Sequence, residues 1–276
     1  MRVNLDACIQ CGLCVRACRE VQVNDVIGMS GRGHDAYPTF DLADPMGDST
    51  CVACGECVQA CPTGALMPAS VLDDQQIGDS ADFDREVKSV CPFCGVGCQV
   101  SLKVKDKRVK FVEGINGPAN EGRLCVKGRF GFDYIHHEHR LMKPLIRRDD
   151  APEKGLNVDP SNWQEFFREA TWDEALDFAA GGFKALRDNF GGASVAGFGS
   201  AKCTNEEAYL FQKFIRQGFG HNNVDHCTRL CHASSVAALM ENVGSAAVTA
   251  TFNEIENADV AIVIGANPVE NHPVAA

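Results

Sequence analysis

Four cysteines in the middle of the chain have the spacing of a metal site. Cys91, Cys94, Cys98 and Cys125 follow the pattern C-x2-C-x3-C-x26-C. Four thiolates together bind either zinc or an iron-sulfur cluster, and the spacing alone leaves both open. Eight further cysteines precede these four, in a spacing that zinc seldom uses. We therefore predict that this group holds a 4Fe-4S cluster.

The eight earlier cysteines form an internal repeat. The run C-x2-C-x2-C-x3-C begins once at Cys8 and again at Cys51. In two-cluster bacterial ferredoxins, the first three cysteines of each run hold one cluster and the fourth ligates the other. The predicted ligands of the two 4Fe-4S clusters are Cys8, Cys11, Cys14 and Cys61 for one, and Cys51, Cys54, Cys57 and Cys18 for the other. Zinc knuckles or redox C-x-x-C motifs are the alternative, which two full copies disfavour.

A further candidate metal ligand lies in the later part of the chain. Cys231 is followed directly by His232, and an apolar run at 236–240 predicts a helix after them. A thiolate in a loop before that helix can bind a metal while the neighbouring imidazole handles a proton. Free cysteine is also a common buried residue, so the pair alone is a weak indication. We interpret Cys203 and Cys227 as structural.

A small β domain is predicted to carry the middle cysteine group. Apolar and polar residues alternate over 100–111, and Asp106-Lys107 can form a turn within that range, which indicates a hairpin. The hairpin would present Cys98 at one end and lead towards Cys125. Lys127 follows two residues later and is either a solvated surface lysine or a charge beside the cluster. Between the two ferredoxin-like runs, 28–48 is rich in Gly, Asp and Pro and predicts an irregular insertion.

An α/β pattern follows in the last part of the chain. Thr171 and Thr204 each precede a glutamate by three residues and begin predicted helices as capping boxes. The predicted elements are a helix from Thr171 to Gly191, a strand at 194–198, a helix from Thr204 to Gly218 and a strand at 260–264. Ligands of such sheets bind at the carboxyl ends of strands, so the loops 199–205 and 265–272 are the expected nucleotide site. The candidate cofactor contacts are Ser200, Asn205, Gly265, Asn267, Glu270 and His272.

Composition restricts the classes of function that the chain can serve. The 276 residues carry a net charge of -11 with a pI near 5.2, which argues against nucleic acid as a partner. The first residues contain no apolar signal region, and no later run reaches the roughly 18 apolar residues of a membrane span. Fifteen cysteines that must stay reduced therefore indicate the cytoplasm. About three strand candidates are fewer than the roughly five or six of an average sheet, so we expect a part of a longer subunit.

These motifs together resemble the molybdopterin oxidoreductase family. The resemblance rests on residues 91–128, the helix start at 171–176, the pair Cys231-His232, and Gly265-Ala266-Asn267-Pro268. With the ferredoxin-like module in front, the chain resembles the alpha subunits of soluble, NAD-dependent molybdenum or tungsten formate dehydrogenases. The resemblance implies a bis(molybdopterin guanine dinucleotide) cofactor whose metal is bound by Cys231, with His232 beside it. It also implies that Lys127 relays electrons between the cluster and a pterin.

The implied reaction is the oxidation of formate to carbon dioxide. Electrons would leave through the three 4Fe-4S clusters to partner subunits that hold flavin and NAD. This division explains why the chain lacks a G-x-G-x-x-G fingerprint of its own. The additional N-terminal iron-sulfur region that is usual in the family does not appear in this chain, and the formate-binding arginine is expected beyond Ala276. The alternatives are an electron-transfer subunit of a complex I-like assembly without a pterin, and another molybdopterin enzyme such as nitrate reductase.

The predicted architecture is a multidomain chain of the α+β and α/β classes. A two-cluster ferredoxin-like module spans 1–75, and a linker spans 76–88. A small β-rich 4Fe-4S domain spans 89–148. Residues 149–276 are the start of an incomplete α/β domain that binds molybdopterin guanine dinucleotide.

Overall fold

The computed structural model describes residues 1–73, 78–153, 155 and 159–276. The chain divides into two compact units. The first comprises Met1–His137 and Thr251–Ala276, and the second comprises Glu138–Ala250. The start of the predicted linker, 76–77, and part of the break before the predicted α/β domain lie outside the described residues.

The strands and helices are short except for two long helices in the second unit. The strands are β1 Arg2–Val3, β2 Ile27–Ser30, β3 Tyr37–Phe40, β4 Leu66–Met67, β5 Arg85–Val90, β6 Gln99–Lys105, β7 Arg108–Gly114, β8 Leu145–Arg147, β9 Phe167–Glu169, β10 Gly197–Gly199 and β11 Val224–His226. The α-helices are α1 Leu13–Arg16, α2 Glu56–Ala60, α3 Val126–Phe130, α4 Trp172–Phe190, α5 Asn205–Phe219, α6 Thr228–Cys231, α7 Ala233–Asn242, α8 Asn253–Glu256 and α9 Pro268–Asn271.

The cysteine repeat is also a repeat of backbone conformation. Gln10 and Ala53 occupy equivalent positions and have φ values of 57° and 53°. Gly12 and Gly55, with φ values of 72° and 77°, directly precede α1 and α2. Left-handed backbone is easy for glycine and strained for other residues, so each run turns sharply and then enters a short helix. Both copies therefore wrap their first three cysteines in the same way.

Two small antiparallel pairs complete this first part of the chain. β1 pairs with β4, and β2 pairs with β3 in a register that opposes Ile27 to Phe40. The side chains of Val26, Ile27, Phe40 and Leu66 are buried beside the cysteines and form the local core. The predicted irregular insertion over 28–48 is therefore wrong for its first half. Strands this short show no clear alternation, and glycine and proline within them conceal the pairing.

A three-stranded antiparallel sheet of β5, β6 and β7 confirms the predicted hairpin. Asp106 and Lys107 form its turn with φ values of 49° and 62°, the mirror-image geometry that suits a two-residue hairpin. Val100, Val112 and Leu124 bury their side chains against the middle cysteine group. β5 overlaps the end of the predicted linker 76–88 at residues 85–88. Exposed side chains on every residue of β5 explain why the sequence does not mark it as a strand.

The second unit contains two strand pairs and the long helices. β8 and β9 are antiparallel, whereas β10 and β11 are parallel. Phe183 of α4 meets Phe214 and Phe219 of α5 edge to face, with ring centroids 6.3 and 5.7 Å apart. Aromatic edge-to-face pairs are favourable, so these rings hold the two helices together. Of the three rings only that of Phe219 is buried, and it forms the core of the unit with Val195 and Ile215.

Both predicted long helices are confirmed, with one difference at their caps. Thr204 and Glu207 make a reciprocal capping box at the start of α5. Thr171 accepts a hydrogen bond from the Glu174 amide, but the Glu174 side chain pairs with Arg168 instead of returning to the cap. Gly191, with a φ of 80°, ends α4 as predicted.

Two strand predictions in the α/β pattern need correction. The predicted strand at 194–198 begins only at Gly197 and extends to Gly199, because 192–194 form a turn of 3-10 helix. The predicted strand at 260–264 has no ladder partner among the described residues, and its apolar side chains are exposed. A parallel strand exists only when neighbouring strands satisfy its backbone groups, so an apolar run alone does not make one.

Candidate metal and cofactor sites

The middle cysteine group surrounds one cavity in the first unit. Cys91, Cys94, Cys98 and Cys125 all line it. The Cys91 amide donates to the Cys98 carbonyl at 2.8 Å, which closes the loop between them. Burial, reinforced by the neighbouring thiols, raises the pKa of Cys98 to about 12. Cys91 and Cys98 are buried, and Cys94 and Cys125 are half-buried. Four thiols around one cavity need a metal centre to carry their thiolate charge, so this donor set fits a 4Fe-4S cluster.

A second cavity is lined by cysteines from both copies of the repeat. Cys8, Cys11 and Cys14 come from the first copy, and Cys61 comes from the end of the second. The Gln10 amide donates to the Cys8 sulfur at 3.4 Å. Burial would raise the pKa of Cys61, but backbone hydrogen bonds from Leu66 and Thr63 lower it overall. Hydrogen bonds to sulfur favour the thiolate form that a cluster requires.

The remaining four repeat cysteines lie in the buried core of the same module. Cys18, Cys54 and Cys57 are buried and Cys51 is half-buried. The Val26 and Ala53 amides each donate to a sulfur at 3.3 Å, to Cys18 and Cys51 respectively. Burial raises the pKa of Cys57 to about 12, and nearby thiols that include Cys54 and Cys18 add to this shift. The structure thus brings Cys18 of the first copy towards the cysteines of the second.

All fifteen cysteines are free thiols, so none is consumed by a disulfide. Within the described part of the chain, no three His, Cys, Asp or Glu side chains converge as closely as a single metal ion requires. Cys203 and Cys227, which the sequence interpreted as structural, are exposed.

Lys127 lies beside the middle group on α3. It follows Cys125 by two residues and is half-buried. Burial raises the pKa of the Cys91 thiol, and the ammonium of Lys127 is among the groups that oppose the shift. The side chain therefore carries its positive charge close to one of the candidate cluster ligands.

A buried ion pair joins α3 to the second repeat copy. Arg129 is 2% exposed and its guanidinium lies 2.6 Å from the Glu56 carboxylate. The same guanidinium donates to the Cys54 carbonyl oxygen and to the Gln59 side-chain oxygen, both at 2.7 Å. Burial is the main cause that raises the pKa of Cys54 to about 11; the backbone amide of Glu56 and the charge of Arg129 oppose the shift, and the charge of the Glu56 carboxylate adds to it. Both charges therefore act on a candidate cluster ligand.

The second unit has its own cavity at the carboxyl ends of the parallel strands. Its lining includes Ser200 and Cys203 after β10, and Asp225, His226 and Arg229 at the end of β11. Arg229 donates to the Asp225 carboxylate at 2.9 Å, and this bond is the main cause that lowers the pKa of Asp225. The location is the one expected for a ligand of a parallel sheet. Its polar and aromatic lining can accommodate the polar groups and the rings of a nucleotide.

The sequence identified one lining residue of this cavity, Ser200. Asn205 begins α5 and lies outside the lining. Sequence reasoning missed Asp225, His226 and Arg229, because β11 has three residues and shows no periodicity. The signal that could have found them is a run of charged and imidazole side chains at the end of a short strand and in the residues after it.

The candidate metal ligand Cys231 is exposed at the end of α6. Its sulfur lies 4.0 Å from Nε2 of His232, the residue directly before α7. The prediction of a loop at Cys231 is wrong, since its amide bonds to the Cys227 carbonyl at 3.1 Å within one helical turn. The predicted helix after the pair is confirmed as α7. Neither Cys231 nor His232 lines the cavity described above.

The other predicted cofactor contacts lie in the first unit around α9. Gly265 has a φ of 64° in the preceding turn. Asn267 caps the helix by accepting from the Glu270 amide at 3.4 Å, and its side-chain amide donates to the Glu270 carboxylate at 3.1 Å. The His272 amide bonds to the Pro268 carbonyl and ends the helix.

Comparison with protein families accounts for nearly the whole chain. Residues 140–276 match the molybdopterin oxidoreductase family, and residues 84–137 match the molybdopterin oxidoreductase Fe4S4 domain. Residues 7–65 match the 4Fe-4S dicluster domain. The chain therefore belongs to the molybdopterin oxidoreductases and carries their iron-sulfur domains.

Curated relatives are similar to this chain over almost its whole length. One, from Staphylococcus haemolyticus, is named "Putative formate dehydrogenase SH0748" and is 34% identical across 100% of this chain. Two proteins of Bacillus subtilis, "Probable oxidoreductase YjgC" and "Putative formate dehydrogenase YrhE", are also 34% identical across 99% and 100% of it. In each case the match covers 30% of the relative's own length. The chain thus spans about a third of the curated relatives that it matches.

Helices of membrane-spanning length and apolarity do not occur in the residues that the model describes.

Proposed function

We propose that this chain forms part of the catalytic subunit of a formate dehydrogenase. In this proposal, formate is oxidised to carbon dioxide at molybdenum or tungsten held by bis(molybdopterin guanine dinucleotide). The observation that carries the proposal is the Cys231-His232 pair, whose sulfur and Nε2 lie 4.0 Å apart within the segment that matches the molybdopterin oxidoreductase family. The names of the relatives support formate as the substrate.

The residues of the pair have complementary chemistry. Formate oxidation releases one proton and two electrons with each carbon dioxide. A thiolate is a suitable ligand for the metal, so Cys231 would hold it. The imidazole of His232 can exchange a proton and would take one up close to the substrate. When bound, the metal centre would supply the two-electron oxidation.

Pterin and nucleotide binding are proposed for two sets of side chains. In the second unit, Ser200, Asp225 and Arg229 line the cavity at the ends of β10 and β11. Arg229 could donate to a phosphate or to a pterin carbonyl, and Asp225 could accept from a guanine amine. Asn205, Gly265, Asn267, Glu270 and His272 remain predicted contacts.

The clusters would carry the electrons away from the metal. Lys127, whose ammonium acts on the Cys91 thiol, would link the pterin to the middle cluster. The two clusters of the repeat would then pass electrons to partner subunits that hold flavin and NAD. The acidic composition and the fifteen free cysteines support a cytoplasmic location.

Replacement of Cys231 by Ser in the full-length protein tests the proposal. Loss of a group that hydrogen-bonds to a metal ligand already lowers metal affinity or activity by about 10–100-fold, so loss of the ligand itself should reduce formate oxidation by about 100-fold or more. The measurement is formate-dependent dye reduction together with molybdenum and tungsten analysis. Cys227→Ser is the matched control, since Cys227 is also exposed and lies four residues earlier.

An unchanged rate in Cys231→Ser would contradict the proposal. A wild-type protein with iron but without molybdenum or tungsten, and without formate oxidation, would favour the electron-transfer subunit instead.

A further inference from the structure

The two copies of the cysteine repeat differ in a way that the clusters do not require. Residues 8–18 and 51–61 align without a gap and share every cysteine and the glycine. The differing pairs are Ile9 and Val52, Gln10 and Ala53, Leu13 and Glu56, and Arg16 and Gln59. The last two pairs place Glu56 and Gln59 in the second copy, and both side chains contact Arg129 of α3. The second copy is therefore specialised for contact with the segment that carries the middle cluster.

The contact is a closed network of buried polar groups. The Glu56 carboxylate, which pairs with Arg129, also accepts from the Leu124 amide at 2.8 Å. The Gln59 side-chain oxygen accepts from the Gly114 amide at 3.1 Å in addition to Arg129. Each of these groups thus bonds to residues around the middle cluster. Buried charges are tolerated only when they are paired and hydrogen-bonded, and both conditions are met here.

The glycine of the second copy takes part in the same contact. A Cβ at Gly55 would overlap Cδ of Arg129, whereas a Cβ at the equivalent Gly12 would meet nothing within 4 Å. Gly12 serves the backbone turn alone. Gly55 serves the turn and also makes room for the arginine. The two copies thus have the same backbone but different surroundings.

An apolar pair would hold two segments together at least as well, since buried ion pairs contribute little net stability. What an apolar pair cannot provide is charge next to a cluster. The Arg129 Nε donates to the carbonyl of Cys54, a candidate ligand, and Glu56 is one of the two residues between Cys54 and Cys57. Net charge and hydrogen bonds near the ligands set the reduction potential of a 4Fe-4S cluster.

We propose that Arg129, Glu56 and Gln59 form a redox latch. The latch holds the Cys51 cluster, whose candidate ligands are Cys51, Cys54, Cys57 and Cys18, against the middle cluster. It also sets the reduction potential of the Cys51 cluster. Cys91, Cys94, Cys98 and Cys125 would hold the electron donor, and Cys51, Cys54, Cys57 and Cys18 would hold the acceptor. When bound, these clusters would exchange one electron, the donor losing it and the acceptor gaining it, without transfer of a proton. All three latch residues are positioning residues. The proposal depends on the iron-sulfur assignment and not on the reaction at Cys231.

The test is a redox titration of the reconstituted protein with dithionite as the reductant, followed by EPR spectroscopy. Arg129→Met removes a positive charge and should lower the potential of one cluster. Glu56→Gln removes a negative charge and should raise the potential of the same cluster. Arg129→Lys should restore the potential but not the full set of hydrogen bonds, because lysine lacks the guanidinium fork. Iron content is measured in every variant.

Arg19→Met is the matched control for charge. Arg19 directly follows Cys18, a candidate ligand of the same cluster, but its side chain is 58% exposed and pairs with Asp25. Water screens an exposed charge, so the potential in this control should stay close to that of the wild type.

The double variant Glu56→Gln with Arg129→Met separates charge from position. Its potential should return towards the wild-type value, since both charges are gone. The magnetic interaction between the reduced Cys51 cluster and the reduced middle cluster should be weaker than in the wild type, since the latch is broken.

Two results would overturn the proposal. In the first, Arg129→Met and Glu56→Gln keep their full iron content but have the same reduction potentials as the control Arg19→Met. The other result applies if Arg129→Met loses iron. Glu56→Gln keeps the size and the acceptor oxygen of the side chain, so it must then still raise the reduction potential of the Cys51 cluster. An unchanged potential in Glu56→Gln refutes the latch. Neither outcome bears on formate oxidation, because dithionite supplies the electrons.

Discussion

At the scale of single residues, burial and local charge decide the chemistry of the cysteines. Burial raises the pKa values of Cys57 and Cys98 to about 12, whereas backbone hydrogen bonds lower that of Cys61. The buried thiols must lose their protons when a cluster binds, so cluster binding releases protons to solvent. Sequence spacing was sufficient to group the first three cysteines of each copy, because three cysteines within seven residues cannot lie far apart. It could not reveal Arg129, which meets Glu56 across a long stretch of sequence.

Lys127→Met should slow the reduction of the clusters by formate while iron content stays intact. The side chain carries its charge beside the Cys91 thiol, and methionine keeps its length without the charge. Groups that surround the ligands of a metal site change its affinity or activity by about 10–100-fold, so we expect the rate of cluster reduction to fall by about tenfold or more. Stopped-flow absorbance of the clusters measures the rate in the full-length protein. The control is Lys107→Met at the exposed hairpin turn, and normal kinetics in Lys127→Met would refute the relay role.

At the scale of elements, alternation and capping residues predicted the hairpin and the long helices, whereas short strands and the fully exposed β5 were missed. The hairpin of β6 and β7 and the helices α4 and α5 follow from alternation and from capping residues that lie within each element. β2, β3 and β11 have three or four residues each, too few for a period to appear. The prediction of a strand at 260–264 was wrong for the opposite reason. Its apolar pattern is clear, but a strand forms only where other strands pair with it.

Thr204→Ala should destabilise the start of α5 more than Thr171→Ala destabilises α4. Thr204 and Glu207 make both bonds of the capping box, whereas Thr171 makes one. Loss of an N-cap costs about 0.5–2 kcal/mol, and we expect Thr204→Ala in the upper half of that range. Hydrogen exchange of the amides in the first turn of each helix measures the difference. Equal increases in exchange at both helices would contradict the interpretation.

At the scale of the whole molecule, the sequence was sufficient to predict the family but not the lining of the cavity that is the candidate nucleotide site. The cysteine repeat and the middle group are local patterns, and the matches to two iron-sulfur domains and to the molybdopterin oxidoreductase family agree with them. The candidate cavity joins the ends of β10 and β11, which are separated by the whole of α5. The compact units divide after His137, whereas the sequence placed a domain boundary after 148.

Metal analysis of the purified full-length protein tests the central claim most directly. Three 4Fe-4S clusters in this part of the chain contribute about twelve iron atoms, and the proposed catalytic centre adds about one molybdenum or tungsten. Iron at or above that level, with about one molybdenum or tungsten and negligible zinc, is the predicted result. Stoichiometric zinc in place of iron would contradict the cluster assignment. Iron at that level with neither molybdenum nor tungsten would contradict the catalytic site while leaving the clusters in place.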